Sequence, residues 1–134
     1  MIDATPGKRE RPLSPHLQVW RWHITLAASI TNRFTGMALY AGWLMFAALA
    51  LAVASGPAGF AAFASVARSI PGMIVLFAVT GSLFFHLAGG LRHLFWDGGV
   101  GLEPSVANAT AWGAYVVAVV GAVAVWAFVL VGGR

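Results

Sequence analysis

Three long runs of apolar residues, separated by short polar or glycine- and proline-containing stretches, dominate the chain. The first run has no charged residue from Phe34 to Ala67, and its helical part should end before the Ser-Gly-Pro turn that begins at Ser55. A spanning helix needs about 20 residues at roughly 1.5 Å each. The pattern therefore predicts an all-α integral membrane protein with three transmembrane helices, at about residues 25–54, 71–93 and 107–131.

The segment ahead of the first span is polar. Residues 1–13 are rich in charge and proline, which indicates a flexible N-terminal tail. The Ser-Pro pair at Ser14 is typical of a helix start, and a short interfacial helix is expected from there through Arg21. A loop or surface helix should connect the first two spans. Residues 14–134 would then form a single membrane domain.

Composition supports a membrane protein and excludes several kinds of chemistry. Of the 134 residues, 60% are hydrophobic and 9% are charged, whereas about a quarter are charged in soluble domains. The sequence has no cysteine, which excludes thiolate ligands to iron–sulfur clusters, covalent haem attachment and disulfides. Any iron–sulfur cluster would therefore belong to a partner.

Positive charge is concentrated near the N-terminus. Five of the eight basic residues precede the uncharged stretch of the first span: Lys8, Arg9, Arg11, Arg21 and Arg33. This distribution is typical of the positive-inside rule, so the net charge of +4 does not predict a nucleic-acid partner. The N-terminus should lie on the cytoplasmic or matrix side of a bacterial or mitochondrial inner membrane. The connection over residues 55–68 should lie on the opposite side.

One histidine falls inside a predicted span. An ionisable side chain in hydrocarbon is costly, so His86 is a functional candidate. Ser82, Gly89, Gly90 and His93 share its helical face. The glycines would let a flat macrocycle approach the backbone, and neutral imidazole can bind haem iron. The spacing equally allows a histidine that is hydrogen-bonded across a helix packing interface.

A haem on His86 would need its second axial ligand from another chain. His93 lies about 10.5 Å further along the helix axis, so the two histidines cannot hold the same iron. His16 and His23 precede the first span. The haem interpretation therefore predicts a hetero-oligomer or a symmetric dimer.

A second cluster of polar residues lies near the start of the first predicted span. Ser29, Asn32 and Arg33 occupy positions i, i+3 and i+4, which places them close together on the helix. A hydroxyl, an amide and a guanidinium could together bind a quinone carbonyl oxygen or a haem propionate. Alternatively, Arg33 reaches the lipid headgroups and Ser29 bonds back to its own helix.

Three segments resemble a known family, the cytochrome b subunit of succinate dehydrogenase, or respiratory complex II. Residues 11–17 (RPLSPHL) resemble its N-terminal signature, and residues 29–36 (SITNRFTG) resemble its Ser-Ile-x-His-Arg-x-(Ser/Thr)-Gly block. The motif of its second helix is similar to the set His86, Gly90, Arg92, His93, Leu94, Trp96 and Asp97.

The resemblance implies a site and a set of partners. It implies that His86 is an axial ligand of haem b, with the opposite ligand supplied by a second small membrane subunit. Ser29 and Arg33 would bind ubiquinone, and Arg33, Asn32 and His93 would lie at or near the haem propionates. Electrons from succinate would reach the quinone through a flavoprotein and an iron–sulfur subunit, so this chain would not dehydrogenate succinate itself.

One position departs from the family pattern. Asn32 stands where the family usually has histidine, and an amide cannot titrate near neutrality.

Two other functions stay open on the sequence alone. One is the anchor of a fumarate reductase, and the other is a non-redox membrane scaffold or transporter subunit.

Overall fold

The structure, a computed structural model, describes residues 20–132, and every regular element within this range is an α-helix. The helices are α1 (Ile24–Ala54), α2 (Pro57–Ala67), α3 (Ile70–Asp97) and α4 (Pro104–Gly132). Three of them, with 31, 28 and 29 residues, are long and apolar enough to cross a membrane. The prediction of an all-α protein with three transmembrane helices is confirmed.

The helix bounds differ slightly from the predicted spans. Helix α3 continues to Asp97, beyond the predicted limit at residue 93, because nothing before Gly98 and Gly99 interrupts it. Helix α4 begins at Pro104 rather than residue 107, since proline suits a first helical turn.

The predicted N-terminal tail and most of the predicted interfacial helix lie outside the described residues. Trp20 and Arg21, which the prediction placed in that helix, belong to a non-helical segment that precedes α1. Helix α1 starts after His23, whose Nδ1 accepts a hydrogen bond from the backbone N–H of Leu26 at 3.2 Å. The first span therefore has its own side-chain N-cap.

A sharp turn separates α1 from α2. Gly56 adopts φ +90°, a left-handed conformation that glycine accommodates without a steric penalty, and Pro57 then starts α2. Helix α2 is an apolar helix of 11 residues that contacts both α1 and α3. Of the two predicted alternatives for this connection, the structure has the short helix.

Helices α1, α3 and α4 pack together through small side chains. The buried core consists of Ala28 from α1, Phe85 from α3, and Ala111 and Ala114 from α4. A hydrogen bond of 2.9 Å joins the hydroxyls of Thr31 on α1 and Tyr115 on α4. Small residues allow close helix approach in a bilayer, where apolar surface gives no hydrophobic drive for association.

The core is thin because most large apolar side chains face outward. Trp43, Phe46 and Phe128 are among those that are more than half exposed. Such a surface suits lipid and partner helices rather than water. The three packed helices thus bury only a few side chains among the described residues, mostly alanines of α4 together with Ala28 and Phe85.

Candidate functional site

His86 lies on α3 and its ring rests against α1. Its Nδ1 is 3.1 Å from the backbone oxygen of Asn32 and 3.4 Å from Oγ1 of Thr35. A carbonyl oxygen can only accept, so Nδ1 donates and carries the ring proton. Nε2 then keeps its lone pair, which is the form of imidazole that binds a metal ion.

The ring approaches α1 closely because position 36 is a glycine. A Cβ atom at Gly36 would lie only 3.1 Å from Cε1 of His86, tighter than ordinary van der Waals contact. The imidazole is half-buried at this helix crossing. Its orientation is therefore set by a neighbouring helix rather than by its own.

The two glycines near His86 on α3 have different roles. A Cβ atom at Gly90 would meet no atom of residues 20–132 within 4 Å, so among these residues this part of the helix surface is open, as a macrocycle would require. Gly89 is buried, and a Cβ atom there would collide with the side-chain amide of Asn32. The prediction that Gly89 makes room for a macrocycle is wrong, because α1 already occupies that space.

Asn32 contributes two different groups to the helix contact. Its backbone oxygen accepts from His86, while its side chain inserts against Gly89. Its Oδ1 is buried and has no hydrogen-bond partner within the described residues. A buried amide oxygen without a partner is costly, and a water molecule could satisfy it.

A small cavity adjoins Asn32. It has a volume of about 80 Å³ and lies where α1, α3 and α4 meet, with Ser29, Asn32, Arg92 and His93 among its lining residues. This volume holds a few water molecules. The structure therefore brings Ser29, Asn32 and His93, predicted from separate motifs, to one small cavity whose lining also includes apolar residues such as Phe85 and Ala114.

Two other predicted site residues, Arg33 and His86, do not line this cavity. Arg33 follows Asn32 on α1, but its side chain is exposed. His86 contacts the opposite side of Asn32 through the backbone oxygen. His93 is exposed, with its ring edge against Trp96 at a centroid distance of 5.2 Å.

Arg92 has a role that sequence reasoning did not identify. Although it carries a charge and lies near the end of α3, it is buried, with 8% of its surface exposed. Its guanidinium donates to Oγ1 of Thr110 at 2.9 Å and to the backbone oxygen of Ala107 at 3.0 Å, both on α4. It also stacks on the Trp96 ring, 4.1 Å from the centroid.

The position of Arg92 could have been inferred from spacing. It lies seven residues after Phe85 and three after Gly89, the two other buried residues of α3. This places it on the packed face of the helix. The charge of Arg92 points the other way, because a charged residue near the end of a membrane span usually lies at the interface.

These features define a class: a small membrane protein with three spans, an imidazole held at the crossing of two of them, and a small cavity on the same pair of helices. The sequence matches the succinate dehydrogenase/fumarate reductase transmembrane subunit family over residues 7–126. The chain belongs to this family.

Individual relatives agree with the family match. The chain is 45% identical over 103 residues to the succinate dehydrogenase cytochrome b556 subunit of Paracoccus denitrificans, covering 77% of this chain and 78% of that protein. It is 32% identical over 121 residues to the same subunit of Rickettsia bellii, covering 87% and 91%. The mitochondrial cytochrome b560 subunit of Homo sapiens is 39% identical over 98 residues, which cover 69% of this chain but only 56% of the human protein.

Proposed function

We propose that this chain is the haem b-binding membrane anchor of a succinate:quinone oxidoreductase and that it helps to form the ubiquinone site. The observation that carries the proposal is the contact of His86 Nδ1 with the Asn32 backbone oxygen. It leaves Nε2 as an unprotonated nitrogen donor on a span with an open backbone surface at Gly90. The relatives named above are cytochrome b subunits, which fits this donor.

His86 would hold the haem iron from one side. When bound, the haem would supply a one-electron carrier next to the route from the iron–sulfur subunit to the quinone. His93 lies seven residues further along α3, about 10.5 Å along the helix axis, so it cannot bind the same iron. A second small membrane subunit would therefore provide the opposite ligand and share the haem.

The quinone site would be formed at the polar end of α1. Ser29 lines the cavity and can donate its hydroxyl hydrogen to a quinone oxygen. The exposed Arg33 would favour the negative charge that develops on reduction. Arg33, Asn32 and His93 would also lie near the haem propionates. Because the cavity holds only a few waters, other subunits would complete the quinone site.

The remaining parts of the reaction belong to partners. Succinate would be oxidised in a flavoprotein subunit, and an iron–sulfur subunit would pass the electrons to the membrane. The relatives described above are succinate dehydrogenase subunits, which favours succinate oxidation over fumarate reduction. The basic N-terminal segment supports an orientation with the N-terminus on the cytoplasmic or matrix side, where those subunits would dock.

The absorption spectrum of the assembled complex tests the haem proposal. We expect the wild-type complex to show a low-spin b-type spectrum and His86→Ala to lose it, either by losing haem or by leaving a five-coordinate iron that binds carbon monoxide. His23→Ala, which removes an exposed imidazole ahead of α1 and outside the proposed site, should keep the low-spin spectrum.

Two results would overturn the proposal. One is an assembled wild-type complex without haem, which would favour a non-redox scaffold. The other is a His86→Ala complex with an unchanged low-spin spectrum and no carbon monoxide binding. If His86→Ala fails to assemble, His86→Gly with added imidazole provides the test, because free imidazole should restore the spectrum.

A further inference from the structure

Three groups of α1 surround one edge of the His86 ring. They are the backbone oxygen of Asn32, the hydroxyl of Thr35 and the bare backbone of Gly36, which we call the imidazole seat. The Thr35 hydroxyl donates to the Asn32 oxygen at 3.0 Å and lies 3.4 Å from Nδ1. The ring therefore meets a hydroxyl and a carbonyl that are already hydrogen-bonded to each other.

We propose that the imidazole seat positions His86 for iron and that Thr35 and Gly36 are positioning residues of the haem ligand. This inference rests on the proposed haem function and deepens it. Each would act through the ring, Thr35 by polarising Nδ1–H and Gly36 by permitting the close approach.

The hydrogen bond at Nδ1 has an electronic consequence. The Asn32 oxygen accepts from the Nδ1–H of His86, which shifts negative charge onto the ring and strengthens Nε2 as a donor. A stronger donor stabilises ferric iron more than ferrous iron. The seat should therefore lower the midpoint potential of the haem and slow its dissociation.

Gly36 makes this bond sterically feasible. With a methyl group at position 36, Cε1 of His86 would be 3.1 Å away, so the ring would have to move by a few tenths of an ångström away from α1. Since Nδ1 is already 3.1 Å from the Asn32 oxygen, such a shift weakens the hydrogen bond. The Gly36→Ala substitution should thus act on the ligand without changing any polar group.

The chain offers a matched control on the same helix. Gly42 also packs on α3, and a Cβ atom there would lie 3.0 Å from Cγ1 of Val79. Gly42→Ala therefore causes a similar steric disturbance between α1 and α3, away from the imidazole. Thr35→Ser keeps the hydroxyl that Thr35→Val removes, which provides a second control.

The test measures the midpoint potential of the haem and the rate of haem transfer to apomyoglobin in the assembled complex. We expect Gly36→Ala to raise the potential and to accelerate haem loss about 10-fold, the lower end of effects seen when a partner of a metal-bound histidine is removed. Thr35→Val should shift both quantities in the same directions by less. Thr35→Ser and Gly42→Ala should match the wild type.

Different results separate this inference from the haem proposal. An unchanged potential and unchanged haem loss in Gly36→Ala would overturn the imidazole seat while leaving His86 as ligand. Equal changes in Gly42→Ala and Gly36→Ala would also overturn it, by showing a general effect of helix packing. A wild-type complex without haem would instead refute the proposed function. If Gly36→Ala fails to assemble, the comparison of Thr35→Val with Thr35→Ser decides the question.

Discussion

At the scale of single residues, the imidazole of His86 lies within a membrane span, and its Nδ1 is 3.1 Å from the backbone oxygen of Asn32 on a neighbouring helix. His86 could be singled out because an imidazole in a membrane span needs a reason. Its hydrogen-bond partner could not be predicted, because nothing in a sequence marks which backbone oxygen a side chain will contact. The side-chain direction of Asn32 was equally hidden, because it depends on the gap that Gly89 leaves on another helix.

The proposed roles of Ser29 and Arg33 give a prediction at this scale. Ser29→Ala removes a hydroxyl from the cavity lining, and Arg33→Leu removes a positive charge beside it. We expect each variant to reduce quinone reduction by the assembled complex about 10-fold, as the loss of one hydrogen bond worth roughly 1.4 kcal/mol would do.

Succinate oxidation measured with a soluble dye should stay at the wild-type rate, because that reaction would take place in the other subunits. Ser65→Ala, on the exposed side of α2, removes a hydroxyl outside the cavity and should leave both activities unchanged. Normal quinone reduction in both Ser29→Ala and Arg33→Leu would contradict the assignment of these residues.

At the scale of helices, hydrophobic run length predicted the three spans, and Ser-Gly-Pro predicted the break after α1. The ends were less predictable, since the same residues can continue or end a helix depending on what packs there. Arg92 illustrates this limit. Arg92 joins α3 to α4 through two hydrogen bonds. The spacing of the buried residues of α3 is consistent with this buried position, but the charge of Arg92 suggests a position at the membrane interface.

The contact between α3 and α4 supports a prediction about packing. A Cβ atom at Gly121 on α4 would lie 2.7 Å from ring carbons of Phe84 on α3, which cannot yield without moving the helix. We expect Gly121→Ala to destabilise the complex by about 1–3 kcal/mol, as overpacking does. The thermal denaturation midpoint of the purified complex, followed by tryptophan fluorescence, should fall.

Gly113→Ala is the matched control for this change. It makes the same substitution on the same helix, but a Cβ atom there would have no neighbour within 4 Å in the part of the chain that the structure describes. Its midpoint should equal that of the wild type. Equal midpoints for the Gly121 and Gly113 variants would show that the close approach of α4 to Phe84 does not limit stability.

At the scale of the whole molecule, composition correctly predicted an integral membrane protein, whose outer surface faces lipid. The described helices bury few side chains among themselves and leave large apolar ones outside. The orientation in the membrane rests on the distribution of charge. Arg92 is buried in α3, but the five basic residues before the uncharged stretch of the first span still outnumber Arg68 and Arg134.

The absence of cysteine makes this orientation directly measurable by single-cysteine labelling. Ser65 on α2 and Glu103 before α4 are both exposed and lie at opposite ends of α3. In bacterial cells with a permeable outer membrane, we expect a membrane-impermeant maleimide to label Ser65→Cys. Glu103→Cys should react only after detergent solubilisation, and the reverse pattern would refute the proposed orientation.

The contact between His86 and α1 also bears on how this chain can change over evolutionary time. The atom that receives the imidazole proton at position 32 belongs to the main chain, and every amino acid has that oxygen. Replacing the side chain there can alter the neighbouring cavity while the ring keeps its partner. Position 36 has no such latitude, since any heavier residue intrudes on the ring. Substitutions at position 32 should therefore preserve the hydrogen bond of the His86 ring, whereas substitutions at position 36 should be removed by selection.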